Sequence, residues 1–306
     1  MSEYILKTDN ITKKFGDKIA VDHVNLALKK GAIYGLIGMN GAGKTTIMKM
    51  ISGMIKPTEG TFSYEGLGSS KNDAFRRIGV LIEAPAIYPN LSAIDNLHIK
   101  ALAYGINDRA YSEKLLKLVG LDDVGKKKAG RFSLGMKQRL GIALSLVGEP
   151  DVLLLDEPIN GLDPQGIVEV REMLLDLNKK KGVTILISSH ILEELSKIAT
   201  DYGIISNGKL IEQITSEDLM SKCRDKIQIK TKDTSAVVTV LDSKGFKEYS
   251  VVDSETIHVY DRINEIPVLN MEIAKAGILI DNIGVIGSDL EEYFLKTAGN
   301  TEKKEG

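Results

Sequence analysis

The sequence is poor in cysteine, in net charge and in long apolar runs. Cys223 is the single cysteine among 306 residues, so no disulfide can form within the chain, as is usual in a reducing compartment. No apolar run approaches the roughly 18–20 residues that cross a bilayer, so any membrane part would have to come from another polypeptide. The polar N-terminus shows no signal-peptide pattern, and we expect a cytoplasmic location. The net charge of −2 provides no basic field, so we expect no nucleic-acid partner.

What the sequence does contain is a glycine-rich segment between two apolar stretches. Residues 38–46 match the pattern Gly-x-x-x-x-Gly-Lys-Ser/Thr in full. Glycines leave backbone N–H groups free to surround a phosphate chain, Lys44 can reach the outer phosphates, and the Thr45 hydroxyl can bind Mg²⁺. Residues 32–37 predict a buried strand before the loop, and residues 46–51 predict a helix whose N-terminus favours anions. The residues assigned to the nucleotide here are Gly38, Met39, Asn40, Gly41, Ala42, Gly43, Lys44, Thr45 and Thr46.

Two carboxylates follow a second apolar run. Residues 152–155 predict a buried strand, and Asp156 and Glu157 come directly after it. Ligands of parallel sheets bind at the carboxyl ends of the strands, which brings both acids to the phosphate loop. We expect Asp156 to hold Mg²⁺, through water, and Glu157 to accept a proton from the water that attacks the γ-phosphate. His190 follows the strand predicted over 183–188, where its imidazole can bond a γ-phosphate oxygen.

Alternating strand and helix patterns predict an α/β core with a helical insert over about 86–150. Ser92 can cap one helix of this insert, and Ser133 can cap another. Asp163 followed by proline predicts the start of a helix that runs to about Lys180. Ser133 and the exposed amide of Gly135 also form an anion site. A chain with two anion sites suggests a nucleotide held between two copies.

We expect a nucleotide-binding domain over 1–215, an accessory domain over 216–298 and a tail over 299–306. The accessory domain shows a β-α-β-β-α-β order of ferredoxin-like type, followed by one more helix. Its predicted strands are 226–230, 249–252, 256–260 and 278–285, and its predicted helices are 235–241, 267–276 and 289–296.

The phosphate loop, the helix begun by Ser133, the Asp156–Glu157 pair, Gly161-Leu162-Asp163 and His190 occur in a familiar order and spacing. Over residues 3–215 the chain resembles the nucleotide-binding domain of the ABC ATPase superfamily. The resemblance implies a mixed-sheet core, an antiparallel β subdomain and a helical insert. It also implies separate transmembrane permease subunits, one of whose helices would dock near residues 83–95.

The same resemblance implies a head-to-tail homodimer with two ATP molecules at its interface. Each ATP would lie between Lys44 of one copy and Ser133 and Gly135 of the other. Phe15 stands where the family stacks an aromatic ring on adenine, although core packing is the alternative for this side chain. Asp163 would carry contact between the two sites, and ATP binding would close the dimer.

The chain departs from the family pattern at two places. The signature reads Ser-Leu-Gly-Met-Lys-Gln, so Met136 and Lys137 stand in the anion site beside Ser133 and Gly135 and could alter its strength. Glu83 stands where the family usually has a glutamine that meets Mg²⁺ and the attacking water. Its carboxylate could bind the metal more tightly or compete with Glu157 for the proton.

Glu83 together with this signature resembles ATPase subunits of bacterial exporters that protect against bacitracin and lantibiotics. The sequence therefore predicts an ATP-hydrolysing exporter subunit, peripheral on the inner face of the membrane. Other readings are the ATPase of a different small-molecule exporter or of a drug-sensing complex. A cytosolic ABC ATPase acting on DNA or ribosomes is disfavoured, because residues 46–132 lack sustained heptads and the chain has one cassette.

Overall fold

The computed structural model describes residues 3–68, 70–223 and 225–287, together with 290, 293, 294 and 297. The chain divides into two compact units, of which the first reaches Ser216 and the second spans residues 217–296. No helix in the described part of the chain is long and apolar enough to cross a membrane.

Ten strands and seven helices form the first unit within the described residues. The strands are β1 (Tyr4–Phe15), β2 (Lys18–Val24), β3 (Ala27–Lys29), β4 (Ile33–Ile37), β5 (Glu59–Tyr64), β6 (Ile78–Leu81), β7 (Val152–Asp156), β8 (Thr184–Ser189), β9 (Asp201–Ser206) and β10 (Lys209–Thr215). The helices are α1 (Lys44–Ile51), α2 (Lys71–Arg76), α3 (Ala93–Ala103), α4 (Arg109–Leu118), α5 (Leu134–Ser145), α6 (Pro164–Lys181) and α7 (Leu192–Ser196).

A six-stranded sheet in the order β10-β9-β4-β8-β7-β6 forms the centre of this unit. All of its pairs are parallel except β9 with β10. Strands β4 and β7 are buried along their full length, which explains their uninterrupted apolar sequences. Because β4, β7 and β8 are parallel, the residues that follow them meet at one edge, and Asp156 is paired in register with Ser188.

A smaller antiparallel sheet places β2 and β3 on either side of β1, and β5 also pairs with β1. Its apolar side chains share one core with the central sheet and with the helix that follows the phosphate loop. Leu6, Val21 and Leu28 of the small sheet join Leu36 of β4 and Ile47 of α1 in this core. The packing fixes α1, and with it the phosphate loop, between the two sheets.

Helices α3, α4 and α5 form the predicted insert, and local capping explains where two of them begin. Ser92 Oγ accepts a hydrogen bond from the amide of Asp95 at 3.2 Å. Ser133 Oγ accepts one from the amide of Met136 at 3.3 Å. Each side chain satisfies an amide that has no partner within the helix, so each helix begins at the following residue.

Helix α8 (Ser216–Lys222) begins at the boundary between the units. The rest of the second unit contains β11 (Lys226–Lys230), α9 (Thr234–Ser243), β12 (Tyr249–Val251), β13 (Thr256–Val259), α10 (Ile266–Lys275) and β14 (Asn282–Ile286). The sheet order is β12-β13-β11-β14, and every pair is antiparallel. Side chains from β11 and β13 pack with those of α9 and α10 in a separate apolar core. This arrangement confirms the predicted fold class, with an α/β first part and a ferredoxin-like second part.

Several predicted elements differ from the structure. The strand predicted over 278–285 begins only at Asn282, because Ile278 and Ile280 pack against the core without entering the sheet. Strands β5, β9 and β10 and helices α2, α7 and α8 were not predicted. Most of the predicted helix over 289–296 and the whole tail over 299–306 lie outside the described residues.

Candidate functional site

Two glycines of the phosphate loop lie so close to neighbouring backbone that a side chain would not fit there. A Cβ atom at Gly38 would lie 2.6 Å from the carbonyl oxygen of Ile205. Gly43 has a φ of 110°, and a Cβ there would lie 2.8 Å from the carbonyl oxygen of Ala20. Only glycine fits both positions, so the loop keeps the backbone amides free of side-chain cover.

Lys44 lies beneath this loop and is 5% exposed. Its Nζ donates to the carbonyl oxygen of Gly38 at 2.7 Å and to that of Met39 at 3.3 Å. It also lies 3.5 Å from Oε1 of Glu157. The ammonium is therefore fixed at the loop, next to the carboxylate predicted to act as the base.

A cavity of about 650 Å³ opens in front of the loop. Of the predicted nucleotide contacts, its lining includes Phe15, Asn40, Gly41, Ala42, Gly43, Lys44, Thr45 and Thr46. The Phe15 ring is 53% exposed, and the Lys13 ammonium lies 5.2 Å from its centroid. This exposure argues against the core-packing alternative for Phe15, because a buried ring would lose most of its surface.

Glu157 also lines the cavity, together with residues that sequence reasoning missed. These are Lys18, Ile19, Ala20, Asn160, Asn207 and Gly208. Asn207 and Gly208 form the tight turn between β9 and β10, and an Asn-Gly pair is a recognisable hairpin signal. That signal could have found the turn, but only the sheet order brings it to the cavity.

Two oxygen-bearing side chains meet where the loop joins the end of β7. Thr45 Oγ1 donates to Oδ2 of Asp156 at 2.8 Å. Ser188 Oγ donates to Oδ1 of the same carboxylate at 2.6 Å. Asp156 is 5% exposed and Ser188 is fully buried, so the bond between these two residues is shielded from solvent. Ser188 was not among the predicted site residues.

Glu157 and His190 come together at the same edge of the sheet. His190 Nδ1 lies 2.6 Å from Oε2 of Glu157. Glu157 has a φ of 50°, a left-handed conformation that is unusual outside glycine. This backbone turns its carboxylate towards Lys44 on one side and His190 on the other.

Glu83 follows β6 and is not among the described residues that line the cavity. Its Oε1 lies 2.5 Å from Nζ of Lys49, on the helix that follows the phosphate loop. The backbone of Glu83 is left-handed, with a φ of 63°, and its side chain is 63% exposed. A positive partner thus stands next to the extra negative charge that Glu83 introduces.

The signature residues lie at the start of α5, against the loop that follows Glu157. A Cβ at Gly161 would lie 2.6 Å from Cδ2 of Leu134, and one at Gly135 would lie 3.3 Å from Cδ2 of Leu162. Asp163 accepts a hydrogen bond from the amide of Gly166 at 3.0 Å and caps α6. Of the predicted nucleotide contacts, the described lining of the cavity does not include Gly38, Met39, Glu83, Ser133, Gly135, Met136, Lys137 and Asp163.

No cluster of three or more His, Cys, Asp or Glu side chains among the described residues could hold a metal ion by itself. Mg²⁺ in nucleotide sites is held by one or two protein oxygens together with phosphate oxygens and water. Thr45 and Asp156 offer that kind of oxygen pair at the mouth of the phosphate loop. The residues present therefore suit a metal that arrives with its nucleotide.

A glycine-rich loop with a buried lysine, facing an aspartate and a glutamate at a strand end, defines a P-loop nucleotide hydrolase. A sequence profile for the family described as ABC transporter matches residues 21–160. Among solved structures, cbiO1 of Clostridium perfringens, described as part of the ABC transporter complex cbiONQ, aligns with a TM-score of 0.63 and 27% identity. That alignment covers 72% of this chain and 92% of the other.

Curated relatives extend the match beyond the cassette. The bacitracin transport ATP-binding protein BcrA of Bacillus licheniformis is 41% identical over 298 residues, which cover 96% of this chain and 97% of that protein. The lantibiotic transport ATP-binding protein SrtF of Streptococcus pyogenes is 46% identical over 207 residues, covering 68% of this chain and 89% of that protein. The chain belongs to the family of ABC transporter ATP-binding proteins, and its activity is ATP hydrolysis coupled to transport. The resemblance predicted from Glu83 and the signature is confirmed by these relatives.

Proposed function

We propose that the chain is the ATP-hydrolysing subunit of a bacterial exporter that removes antimicrobial peptides of the bacitracin or lantibiotic type. The observation that carries the proposal is the extent of the match to BcrA, 96% of this chain and 97% of that protein. The match therefore includes the second unit as well as the cassette, whereas the match to SrtF covers 68% of this chain. Similarity through both units favours a shared transport task over a shared cassette alone.

ATP would bind in the cavity with its phosphates on the loop amides and on Lys44. Phe15 would cover one face of the adenine, and Thr45 with Asp156 would hold Mg²⁺, which supplies charge neutralisation at the phosphates when bound. The 2.8 Å bond between Thr45 and Asp156 supports this assignment, because both oxygens already point to one place. Glu83 forms an ion pair with Lys49 and would reach the metal only after this pair is broken.

Hydrolysis would use Glu157 as the general base and His190 as its orienting partner. A proton acceptor must be close to the attacking water, and Glu157 lines the same cavity as the phosphate loop. The 2.6 Å contact with His190 Nδ1 fixes one carboxylate oxygen and leaves the other facing Lys44. His190 would in turn sense the γ-phosphate.

Two copies of the chain would work as a head-to-tail homodimer on separate transmembrane permease subunits. The start of α5 supports this proposal: Ser133 is exposed, and its cap uses the hydroxyl oxygen as an acceptor, which leaves the hydroxyl hydrogen for a phosphate of the other copy. Gly135, Met136 and Lys137 would contact the same nucleotide, and Asp163 would link the two sites. Docking on the permease would place the chain at the inner face of the membrane.

Growth inhibition tests the proposed cargo. Matched strains would carry the native permease genes with wild-type or Glu157→Gln protein, and would be exposed to bacitracin, several lantibiotics and unrelated small drugs. We expect selective sensitisation of the variant strain to the peptides. Equal sensitivity to every peptide, with lost resistance to a small drug, would assign the ATPase to a different exporter. Equal sensitivity throughout, together with co-purification of a histidine kinase, would favour a drug-sensing complex.

A further inference from the structure

We infer that Ser188 is a positioning residue for ATP hydrolysis: its hydroxyl fixes the carboxylate of Asp156 for metal binding and the backbone of Glu157 for base catalysis. The inference rests on the proposed roles of those two acids. Ser188 stands two positions before His190, near the end of β8.

The direction of each hydrogen bond at Ser188 is determined by its partners. The amide of Glu157 lies 3.0 Å from Ser188 Oγ, and an amide can only donate. The hydroxyl oxygen therefore accepts that bond, and its own hydrogen is free for Oδ1 of Asp156 at 2.6 Å. The hydroxyl thus uses donor and acceptor at once, and a methyl group could do neither.

Strand register explains why this serine reaches both acids. Strands β7 and β8 are parallel neighbours in which Asp156 is paired with Ser188. Ser188 is fully buried, so its hydroxyl could not be replaced by water without opening the sheet. A polar group buried this deeply is costly unless its bonds are made, and within the described part of the chain they are made to Asp156 and Glu157.

The bond to Ser188 is the one that metal binding would leave in place. Asp156 accepts from Thr45 through Oδ2 and from Ser188 through Oδ1. Thr45 and Asp156 are the residues that would hold Mg²⁺, so their mutual hydrogen bond would be given up to the ion. Among the described residues, Ser188 would then be the side chain that still restricts rotation of the Asp156 carboxylate. Hydrogen-bond partners of metal-binding carboxylates commonly set the affinity of the site in this way.

The same serine supports the unusual backbone of Glu157. The Glu157 amide donates both to Ser188 Oγ at 3.0 Å and to the Ser188 carbonyl oxygen at 3.2 Å. Its φ of 50° is a conformation that persists only where the surroundings hold it. Loss of the hydroxyl would weaken this hold and release the carboxylate from its place between Lys44 and His190.

A matched pair of variants tests the hydroxyl apart from packing. Ser188→Thr keeps the hydroxyl and adds a methyl group. Ser188→Val has nearly the same volume as Ser188→Thr but has no hydroxyl. Ser188→Ala removes the hydroxyl without adding bulk. Thr184→Val is the control, since Thr184 is equally buried on the same strand and its hydroxyl accepts from the amide of Gly31 at 2.9 Å. All four full-length variants would first be compared by thermal unfolding.

The first measurement is the affinity for Mn²⁺ in the presence of ATP, detected by electron paramagnetic resonance. The second is the affinity for ATP in EDTA. We expect Ser188→Ala and Ser188→Val to lose about 10- to 100-fold in Mn²⁺ affinity, the usual effect of removing a partner of a metal ligand. Ser188→Thr and Thr184→Val should retain it, and no variant should bind ATP more weakly than wild type in EDTA, because the loop and Lys44 are unchanged. The apparent Mg²⁺ requirement of hydrolysis should rise in parallel.

Equal Mn²⁺ affinity for Ser188→Thr and Ser188→Val, or an unchanged affinity for Ser188→Ala, would reduce Ser188 to a packing residue and overturn the inference. An equal loss in Thr184→Val would assign the effect to general destabilisation and overturn it too. Failure of the wild type to bind Mn²⁺ with ATP would instead remove the proposed roles of Asp156 and Glu157, and the inference with them.

Discussion

Replacing Glu157 by glutamine should separate nucleotide binding from hydrolysis, with opposite effects on the two. The carboxylate lies 3.5 Å from the Lys44 ammonium, which is also the group expected to meet the γ-phosphate. The two negative groups therefore compete for one cation. At 3.5 Å the attraction between unit charges is about 1 kcal/mol in a water-like dielectric and about 5 kcal/mol at an effective dielectric constant of 20.

The exposed fractions place the site between these limits, since Lys44 is 5% exposed and the Glu157 side chain 21%. Taking the lower figure as the minimum, Glu157→Gln should tighten ATP binding in EDTA about fivefold or more. Hydrolysis should fall about 10²- to 10⁴-fold, the usual contribution of a general base. An ATP-bound dimer should then accumulate, because the step that reopens it is blocked.

Titration calorimetry measures the binding, single-turnover hydrolysis of labelled ATP measures the chemistry, and size-exclusion chromatography with ATP detects the dimer. Glu193→Gln is the matched control, because Glu193 is a 77% exposed carboxylate that pairs with Lys197 away from the cavity. Hydrolysis at the wild-type rate in Glu157→Gln would refute the base assignment. Unchanged ATP affinity would refute the competition for Lys44.

Three further substitutions test other contacts of the structure. Lys44→Ala should weaken ATP binding strongly in calorimetry, since its ammonium is fixed at the loop by two carbonyl oxygens; unchanged affinity would contradict the phosphate-loop assignment. Glu83→Gln should retain hydrolysis and, because exposed ion pairs contribute under about 1 kcal/mol, should unfold at nearly the wild-type temperature. A collapse of turnover in Glu83→Gln, with Lys49→Met still active, would show that the carboxylate itself takes part in the chemistry. Ser92→Ala should cost about 1 kcal/mol of stability in denaturant unfolding. The Ser92 hydroxyl also lowers the pKa of Asp95, so the stability difference from wild type should be full above the ordinary carboxyl pKa of 3.8. It should narrow as the pH falls below that value towards the lowered pKa of the folded state; a constant difference would contradict this.

Features that depend on neighbouring residues could be predicted from the sequence. The caps at Ser92, Ser133 and Asp163 are local patterns, and each accepts the expected amide. The buried strands at 33–37 and 152–156 could be predicted because a strand covered on both faces is apolar along nearly its whole length. The glycine-rich loop is also a pattern of consecutive residues. Its position could therefore be predicted, whereas the residues that contact it in the fold could not.

Features that depend on strand order could not be predicted. The sequence shows two consecutive serines before His190, and nothing local distinguishes the one that bonds Asp156. Only the pairing of β7 with β8 makes that choice. Likewise Lys49 and Glu83 lie 34 positions apart, and their ion pair depends on how β6 and α1 pack. The strand predicted over 278–285 is confirmed from Asn282 onwards, but its first four residues lie outside the sheet, since an apolar run does not reveal whether its backbone enters a sheet.

The contact between Gly161 and Leu134 resists compression far more strongly than it resists separation. The missing side chain at Gly161 lets the leucine touch the backbone, where a Cβ would stand only 2.6 Å from Cδ2. Atoms in contact cannot overlap, so a load that pushes the start of α5 towards this loop must displace it, four residues from Glu157. A load that pulls α5 away is resisted at this contact by dispersion, of about 0.1–0.2 kcal/mol per atom pair. The contact therefore acts as a mechanical stop, which carries compression from one element to the other but carries almost no tension.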